Sequence, residues 1–261
     1  ILQVRPLIVR KKISNSYQSK VYKTLVNFEK KFYIRSKLWN SVYSQMSDWN
    51  PVEIIGKFPN FLSFTLYKDL ILDFVWINAR KLMGYSHNFK NKTLMSQFLG
   101  QPYIDVKKSF ISFLPHKTPR KKQNKLINYY LQKLLKNPHL HDKIEFEIAI
   151  NSFIFDFNQR FTQLNKNLLS KVDINILKDS YKKIFIKNLN PKSVGSIQYN
   201  LNKLEYLESL YQSEDYKKIK LIEIIKNTKK YGTLPFSIFA RHAFIAENLL
   251  RSLERLKLLN Y

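Results

Sequence analysis

Apolar residues at Val21, Leu25, Phe28 and Phe32 recur every three or four positions, and comparable runs return along most of the chain. That spacing stacks side chains on one face of an α-helix, whereas a strand alternates them between two faces. The segment from about Ser16 to Met46 therefore reads as a long helix, with Leu38 on its apolar side. Asp48-Trp49-Asn50-Pro51 breaks the pattern with helix-start chemistry: Pro51 suits a first helical position and Glu53 lies in the first turn. A second strong helix is expected from about Phe61 to Met83. Gly84, Gly100 and Pro102 then punctuate a loop-rich stretch in which Tyr103-Ile104-Asp105-Val106-Lys107 alternates like a short strand, and Pro115 and Pro119 close it. Helices are expected again at about 120–136, 142–169, 173–188, 196–212, 215–229 and 235–258. The expected fold is mainly α. It is an irregular multi-helix domain with a residual N-terminal strand, one short strand pair near 103–113, and a break near 115–120 that leaves room for two helical subdomains.

Composition supports a packed core. Hydrophobic residues make up 44% of 261 positions, with 19 Phe, 16 Tyr and only 5 Gly, which argues against disorder. The absence of cysteine removes disulfides, thiolate catalysis and Cys-ligated zinc, and fits a reducing cytosol. No run of apolar residues is long enough to read as a membrane span and no signal-peptide pattern is present, so a cytoplasmic location is expected. The balance of 45 basic against 19 acidic residues gives a net charge of +26. Such an excess fits a nucleic-acid or anionic-surface binder. Here, however, the basic residues are mostly Lys, spread along the whole chain, and accompany the Asn, Ile, Phe and Tyr that an AT-rich genome enriches together. Without a zinc knuckle, an RNP-type aromatic motif or an arginine-rich tract, nucleic acid is the disfavoured partner.

Four segments carry more specific chemistry. In Ile1-Leu2-Gln3-Val4-Arg5-Pro6-Leu7, alternation puts Gln3 and Arg5 on one strand face, opposite Leu2 and Val4. An amide oxygen can ligate a metal and a guanidinium can fork onto phosphate oxygens, although an edge strand with polar residues outside has the same pattern. Around Trp49 and Glu53, a helix cap with a Trp staple explains the residues equally well. In Gly100–Phe110, Tyr103, Asp105 and Lys107 share one face of the expected strand, either as a surface pair or as a polar wall for a zwitterionic substrate. The fourth segment, Tyr231–Glu247, leads from Pro235 into an amphipathic helix. On a helical wheel Phe236, Phe239, Ala240, Ala243 and Leu250 form one apolar face with Glu247 inside it, a costly place for a carboxylate unless it is paired or serves a site. Ser237, Arg241 and Asn248 line an adjoining face and can converge on one ligand. Arg241 suits a carboxylate held bidentately, Glu53, Asp105 and Glu247 suit an ammonium, Trp49 and Tyr103 could wall the pocket, and His242 could orient the acceptor.

These segments resemble a known family. The opening heptapeptide is similar to the closing Gln-x-Arg-Pro strand of the ATP-binding domain in the phosphoenolpyruvate synthase and pyruvate phosphate dikinase family. Asp48-Trp49-Asn50-Pro51-x-Glu53, Pro102-Tyr103-x-Asp105-Val106-x-x-Ser109-Phe110 and Leu234-Pro235-Phe236 through Ala240-Arg241 look like motifs of its linker and middle region. Within the family the Lys- and Asn-rich chain is most similar to the L-glutamine kinases of capsular phosphoramidate biosynthesis. The resemblance implies an excised middle piece: residues 1–7 end an ATP-grasp domain and residues 8–261 form the helical acceptor-binding domain. It implies ATP and Mg as cofactors, with Gln3 at the metal and Arg5 on the polyphosphate. It also implies a relay in which ATP phosphorylates a mobile histidine, releasing AMP and phosphate, and the phosphohistidine then phosphorylates the acceptor, the side-chain amide of L-glutamine. None of His87, His116, His139, His141 and His242 has the sequence context of that histidine, and no Gly-rich phosphate loop is present. The partners implied are the ATP-grasp and phosphohistidine domains of the same parent chain, with the piece alone catalytically dead. Two other classes stay open beside it: a related phosphotransferase with another small acceptor, and a basic helical nucleic-acid-binding domain. A scaffold that only positions the mobile histidine domain is the blandest reading.

Overall fold

The computed structural model describes residues 42–45, 49–87, 89, 93–164, 168–213, 216 and 219–259. The N-terminal strand with Gln3 and Arg5, and all but the last residues of the expected Ser16–Met46 helix, lie outside them. Where that helix was expected to end, Tyr43–Ser44 instead forms a strand, β1.

The described chain is mainly helical, with one small antiparallel sheet. Its strands β1, β2 (Met95–Phe98) and β3 (Gln101–Asp105) run in the order β1-β3-β2, with Tyr43 opposite Asp105 and Met95 opposite Ile104. The strand pair thus sits N-terminal to the expected 103–113, because Leu99 and Gly100 form a two-residue hairpin turn. Both have positive φ, 50° and 80°, the backbone that matches the twist of a tight hairpin. Pro102 is the second residue of β3, at the end of the strand away from the Ile104 and Asp105 that β1 pairs.

Side-chain caps start four of the described helices, at Asn60, Asp105, Ser170 and Ser196. After α1 (Pro51–Ile55), α2 (Phe61–Tyr67) begins where Asn60 Oδ1 accepts from Ser63 N–H at 2.8 Å. The expected helix to Met83 is interrupted: residues Lys68–Leu72 adopt a π turn, Phe74 leaves helical geometry, and α3 runs from Val75 to Met83. Gly84, in the left-handed region, ends α3, and the Tyr85 N–H returns to the Arg80 carbonyl at 2.8 Å. Next come α4 (Val106–Phe113) and α5 (Arg120–Lys136). The turn between them, at the expected break, is spanned by a single core: Phe110 and Phe113 of α4 cluster with Leu126 and Tyr130 of α5.

The expected helix at 142–169 does not form. Its place is taken by a π turn at Ile144–Ile148, a buried irregular stretch at 149–154 and the short helix α6 (Phe157–Leu164). The helices α7 (Lys171–Leu189) and α8 (Ile197–Gln212) follow, capped by Ser170 and Ser196. From α9 (Leu221–Asn227) the chain runs through a π turn at Thr228–Thr233 into α10 (Leu234–Arg255) without leaving right-handed helical geometry. The π turn precedes Pro235, whose ring would collide with the carbonyl four residues back in a regular helix. It meets the first π turn: Thr233 Oγ1 donates to the Leu70 carbonyl at 2.6 Å, and Lys229 pairs with Asp69 at 2.5 Å. Helix α10 packs on α3 and α8 and contributes Ile238 and Ile245 to the main core.

The α7–α8 turn locks these helices together at Gly195. A Cβ there would stand 2.3 Å from Asn188 Oδ1 and 3.1 Å from Met83 Cα, and Asn188 itself donates to the Met83 carbonyl at 2.9 Å. Gly195→Ala is expected to destabilise the chain by about 1–3 kcal/mol through overpacking. A urea midpoint equal to that of the wild type would show that the turn has room to yield.

Candidate functional site

The irregular stretch at 149–154 runs through the core, where every backbone polar group needs a protein partner. Side chains from several helices supply them. Tyr130 OH accepts from Ile150 N–H at 3.3 Å, Tyr181 OH donates to the Ile150 carbonyl at 3.1 Å, and the Asn151 carbonyl accepts from Arg241 Nη2. Ser252 Oγ accepts from Phe155 N–H at 3.2 Å, and Asn248 Nδ2 donates to Asn151 Oδ1 at 3.2 Å.

Meeting these groups decides which face of α10 is buried, and it is not the face expected from the wheel. Buried are Ser237, Ile238, Arg241, Ile245, Asn248 and Ser252, whereas Phe236 is 57% and Leu250 39% exposed. Glu247 therefore does not lie inside an apolar stripe. Its half-exposed carboxylate accepts from Arg251 Nε at 2.7 Å, one turn along the same helix.

Arg241 is the chemical centre of this polar face. It is 1% exposed, and its guanidinium carbon lies 5.0 Å from the Tyr85 ring centre and 5.2 Å from that of Phe113. Arg80 approaches the same Phe113 ring at 5.5 Å and reaches Ser112 Oγ through Nε. Among the described residues no carboxylate pairs with Arg241, and its Nε and Nη1 have no hydrogen-bond partner. Ser237 Oγ, one turn away, and Ser152 Oγ, next to Asn151, are buried and unpartnered as well. A desolvated ring face returns about 2 kcal/mol to a cation, and the bond to a carbonyl about 1.5–3 kcal/mol. That offsets much of the several kcal/mol lost on burying the charge. Each unmet N–H still costs about 1–3 kcal/mol, which an anion on Nε and Nη1 recovers.

The other singled-out residues lie elsewhere. Asp105 does not share a strand face with Lys107. It ends β3 and caps α4, with Oδ1 accepting from Lys108 N–H at 3.1 Å and Oδ2 3.9 Å from Lys108 Nζ, while Lys107 is already helical. Arg241 packs on Phe113 at the far end of this eight-residue helix, about 12 Å along its axis. Tyr103 is buried in β3 against Phe98, and burial pushes its phenol up. Trp49, at a φ of 71°, accepts from the Tyr67 hydroxyl through its carbonyl, and Glu53 is exposed on α1. His242 Nε2 meets the Gly195 carbonyl at 2.8 Å. The structure thus joins Ser237, Arg241 and Asn248 on one buried face and gathers Trp49, Tyr103 and Asp105 near the sheet. Asn151, Tyr85 and Phe113, which complete the Arg241 environment, carry no local sequence signal, since their roles arise only through tertiary packing.

Among the described residues no cluster of His, Asp or Glu is arranged to hold a metal ion, and no helix is long and apolar enough to cross a membrane. Comparison with protein families, curated proteins and solved structures finds no match to this chain.

Two histidines tie this packing to pH. Burial pushes His242 below its ordinary value, aided by Arg241 and opposed by the Gly195 carbonyl, and burial likewise lowers His141. Both bind protons more readily when unfolded, so their contribution is present above about pH 6.5 and is lost as pH falls below it. Stability is expected to fall between pH 7 and pH 5, and His242→Gln should flatten the curve. Parallel urea-midpoint profiles for the two proteins would remove His242 from this account.

Proposed function

We propose that the chain is the acceptor-binding portion of an ATP-dependent phosphotransferase working through a phosphohistidine relay, with a small amino acid, L-glutamine foremost, as acceptor. The carrying observation is Arg241, a buried guanidinium with two N–H groups open and no carboxylate partner. In this reading an acceptor carboxylate takes Nε and Nη1, and Ser237 Oγ meets a polar group of the same molecule. Asp105 is committed to its helix cap and Glu247 to Arg251, so neither is assigned to the ammonium. ATP and Mg belong to the region of Gln3 and Arg5, and the histidine that carries the phosphoryl group belongs to another part of the parent protein. Because Arg241 is closed off from solvent, acceptor entry includes a conformational step and association is slower than for an open pocket.

Calorimetry with L-glutamine tests the reading. The chain is expected to bind it, and Arg241→Met is expected to weaken binding by about 10- to 100-fold, the loss of one charge-assisted contact. The ligand-free variant is expected to change in stability by no more than about 3 kcal/mol in either direction, since removing a buried charge is opposed by leaving the Asn151 carbonyl without its donor. Absence of heat with L-glutamine and other amino acids alike would sink the acceptor role.

A further inference from the structure

The lysine excess is spread along the sequence, but packing gathers two of its members with three tyrosines on one face of α8. Tyr199, Lys203 and Tyr206 recur at i, i+4 and i+7, a spacing that stacks them on one side of the helix. The π turn at Thr228–Thr233, which packs on α8, brings Lys230 and Tyr231 beside them. The Tyr206 and Tyr231 ring centres are 4.8 Å apart, with the planes at 60°. Lys203 Nζ stands 4.8 Å from the centre of the Tyr199 ring and Lys230 Nζ 4.6 Å from that of Tyr231. Among the described residues no lysine covers the Tyr206 ring, which is 51% exposed.

The charge on this face is of one sign. Neither lysine meets a carboxylate among the described residues; burial first, and the Lys230 charge next, pull the Lys203 ammonium below its ordinary value. Glu205 and Glu208 fall on the far side of α8, and Asp69, which meets the same π turn, is held by Lys229.

We infer that this face is a stacking platform for single-stranded nucleic acid, in which a base lies on Tyr206 while Lys203 and Lys230 take the flanking phosphates. Exposed aromatic rings interleaved with cations suit that partner, because every base has a π face and the backbone beside it is anionic. A duplex keeps its bases stacked on one another, so it offers the lysines its phosphates and the rings nothing. An acidic peptide likewise satisfies the lysines alone. Tyr199 and Tyr206 lie about 10 Å apart along α8, so the face spans more than one nucleotide. It shares no residue with the Arg241 site and stands independently of the acceptor reading.

Fluorescence anisotropy of the 261-residue chain with labelled twelve-nucleotide oligothymidylate, titrated over a range of salt, tests the platform. Binding is expected to persist at physiological salt and to exceed that of a duplex of the same length. Tyr206→Ala should weaken it by about 5- to 150-fold, the loss of one stacked base, whereas Tyr206→Phe keeps the ring and the affinity. Lys230→Gln should lower the slope of log affinity against log salt by about 0.7. Lys183→Gln, an equal loss of charge on the exposed side of α7, should weaken binding less than Lys230→Gln does. Arg241→Met should leave oligonucleotide binding unchanged, so this face and the acceptor site fail separately. Tighter binding of oligouridylate assigns the platform to RNA, and tighter binding of oligothymidylate assigns it to DNA. Equal affinity in the wild type and Tyr206→Ala, a duplex bound as tightly as the single strand, or displacement by polyglutamate as effective as by unlabelled oligothymidylate overturns it.

Discussion

The buried stretch at 149–154 is the interaction on which the arrangement of the C-terminal half depends. A non-helical segment inside a helical core exposes N–H and C=O groups to an apolar interior, and each unmet group there costs about 1–3 kcal/mol. Tyr130 from α5, Tyr181 from α7, and Arg241, Asn248 and Ser252 from α10 all spend polar atoms on it or its flanks. Tyr181 also reaches the Phe113 carbonyl at the end of α4. Three helices are therefore registered against one strip of backbone, with α4 tied in through Tyr181, which fixes their rotations more tightly than apolar contact alone could. Apolar burial is non-directional, whereas these bonds have angles and partners.

That registration explains why α10 buries its polar face. A helix with Phe236 and Leu250 on one side and Ser237, Arg241 and Asn248 on another gains apolar transfer energy by burying the first. It gains more from the second when the facing element is unpaired backbone. The result is a guanidinium held between two aromatic rings with part of its donor capacity unspent. Such a group is stable enough to persist and costly enough to favour an anion beside it. Local arrangements that give up stability in this way cluster at functional sites.

The sequence made the well-capped amphipathic helices legible. The expected 120–136 coincides with α5, and α7, α8 and α10 begin within two residues of expectation, because Pro119, Ser170, Ser196 and Pro235 mark their starts locally. The π turns were not legible. A residue added to a helical turn leaves the apolar spacing nearly unchanged, and what stabilises it is distant: Thr233 on Leu70, Lys229 on Asp69. The hairpin at Leu99-Gly100 was hidden because leucine replaces the Asn or Asp that usually marks such a turn. At the site, Ser237, Arg241 and Asn248 could be grouped from spacing alone. That their face points inward depends on the path of residues 144–154, where Ile144, Ile148 and Ile150 read equally well as helix or strand.

The large positive charge acts differently at the surface and in the interior. The carboxylates that form ion pairs are spent on nearby cations, Asp173 on Lys122, Asp69 on Lys229, Asp156 on Arg255 and Glu247 on Arg251, which leaves a surplus of lysines. Exposed lysines are strongly hydrated, and their field is screened within about 8 Å at physiological salt. They raise the local concentration of anions without selecting among them. Lys108, the buried exception among the described lysines, is tied to Asp105 and the Thr93 carbonyl. A guanidinium set into the protein, as Arg241 is between its rings, meets an anion under different conditions. Loss of solvent there strengthens each contact, and the flat fork imposes a geometry that a lysine field cannot. A binder driven by surface charge alone would lose its ligand as salt rises; a ligand on a desolvated arginine is held by directional bonds that salt screens far less.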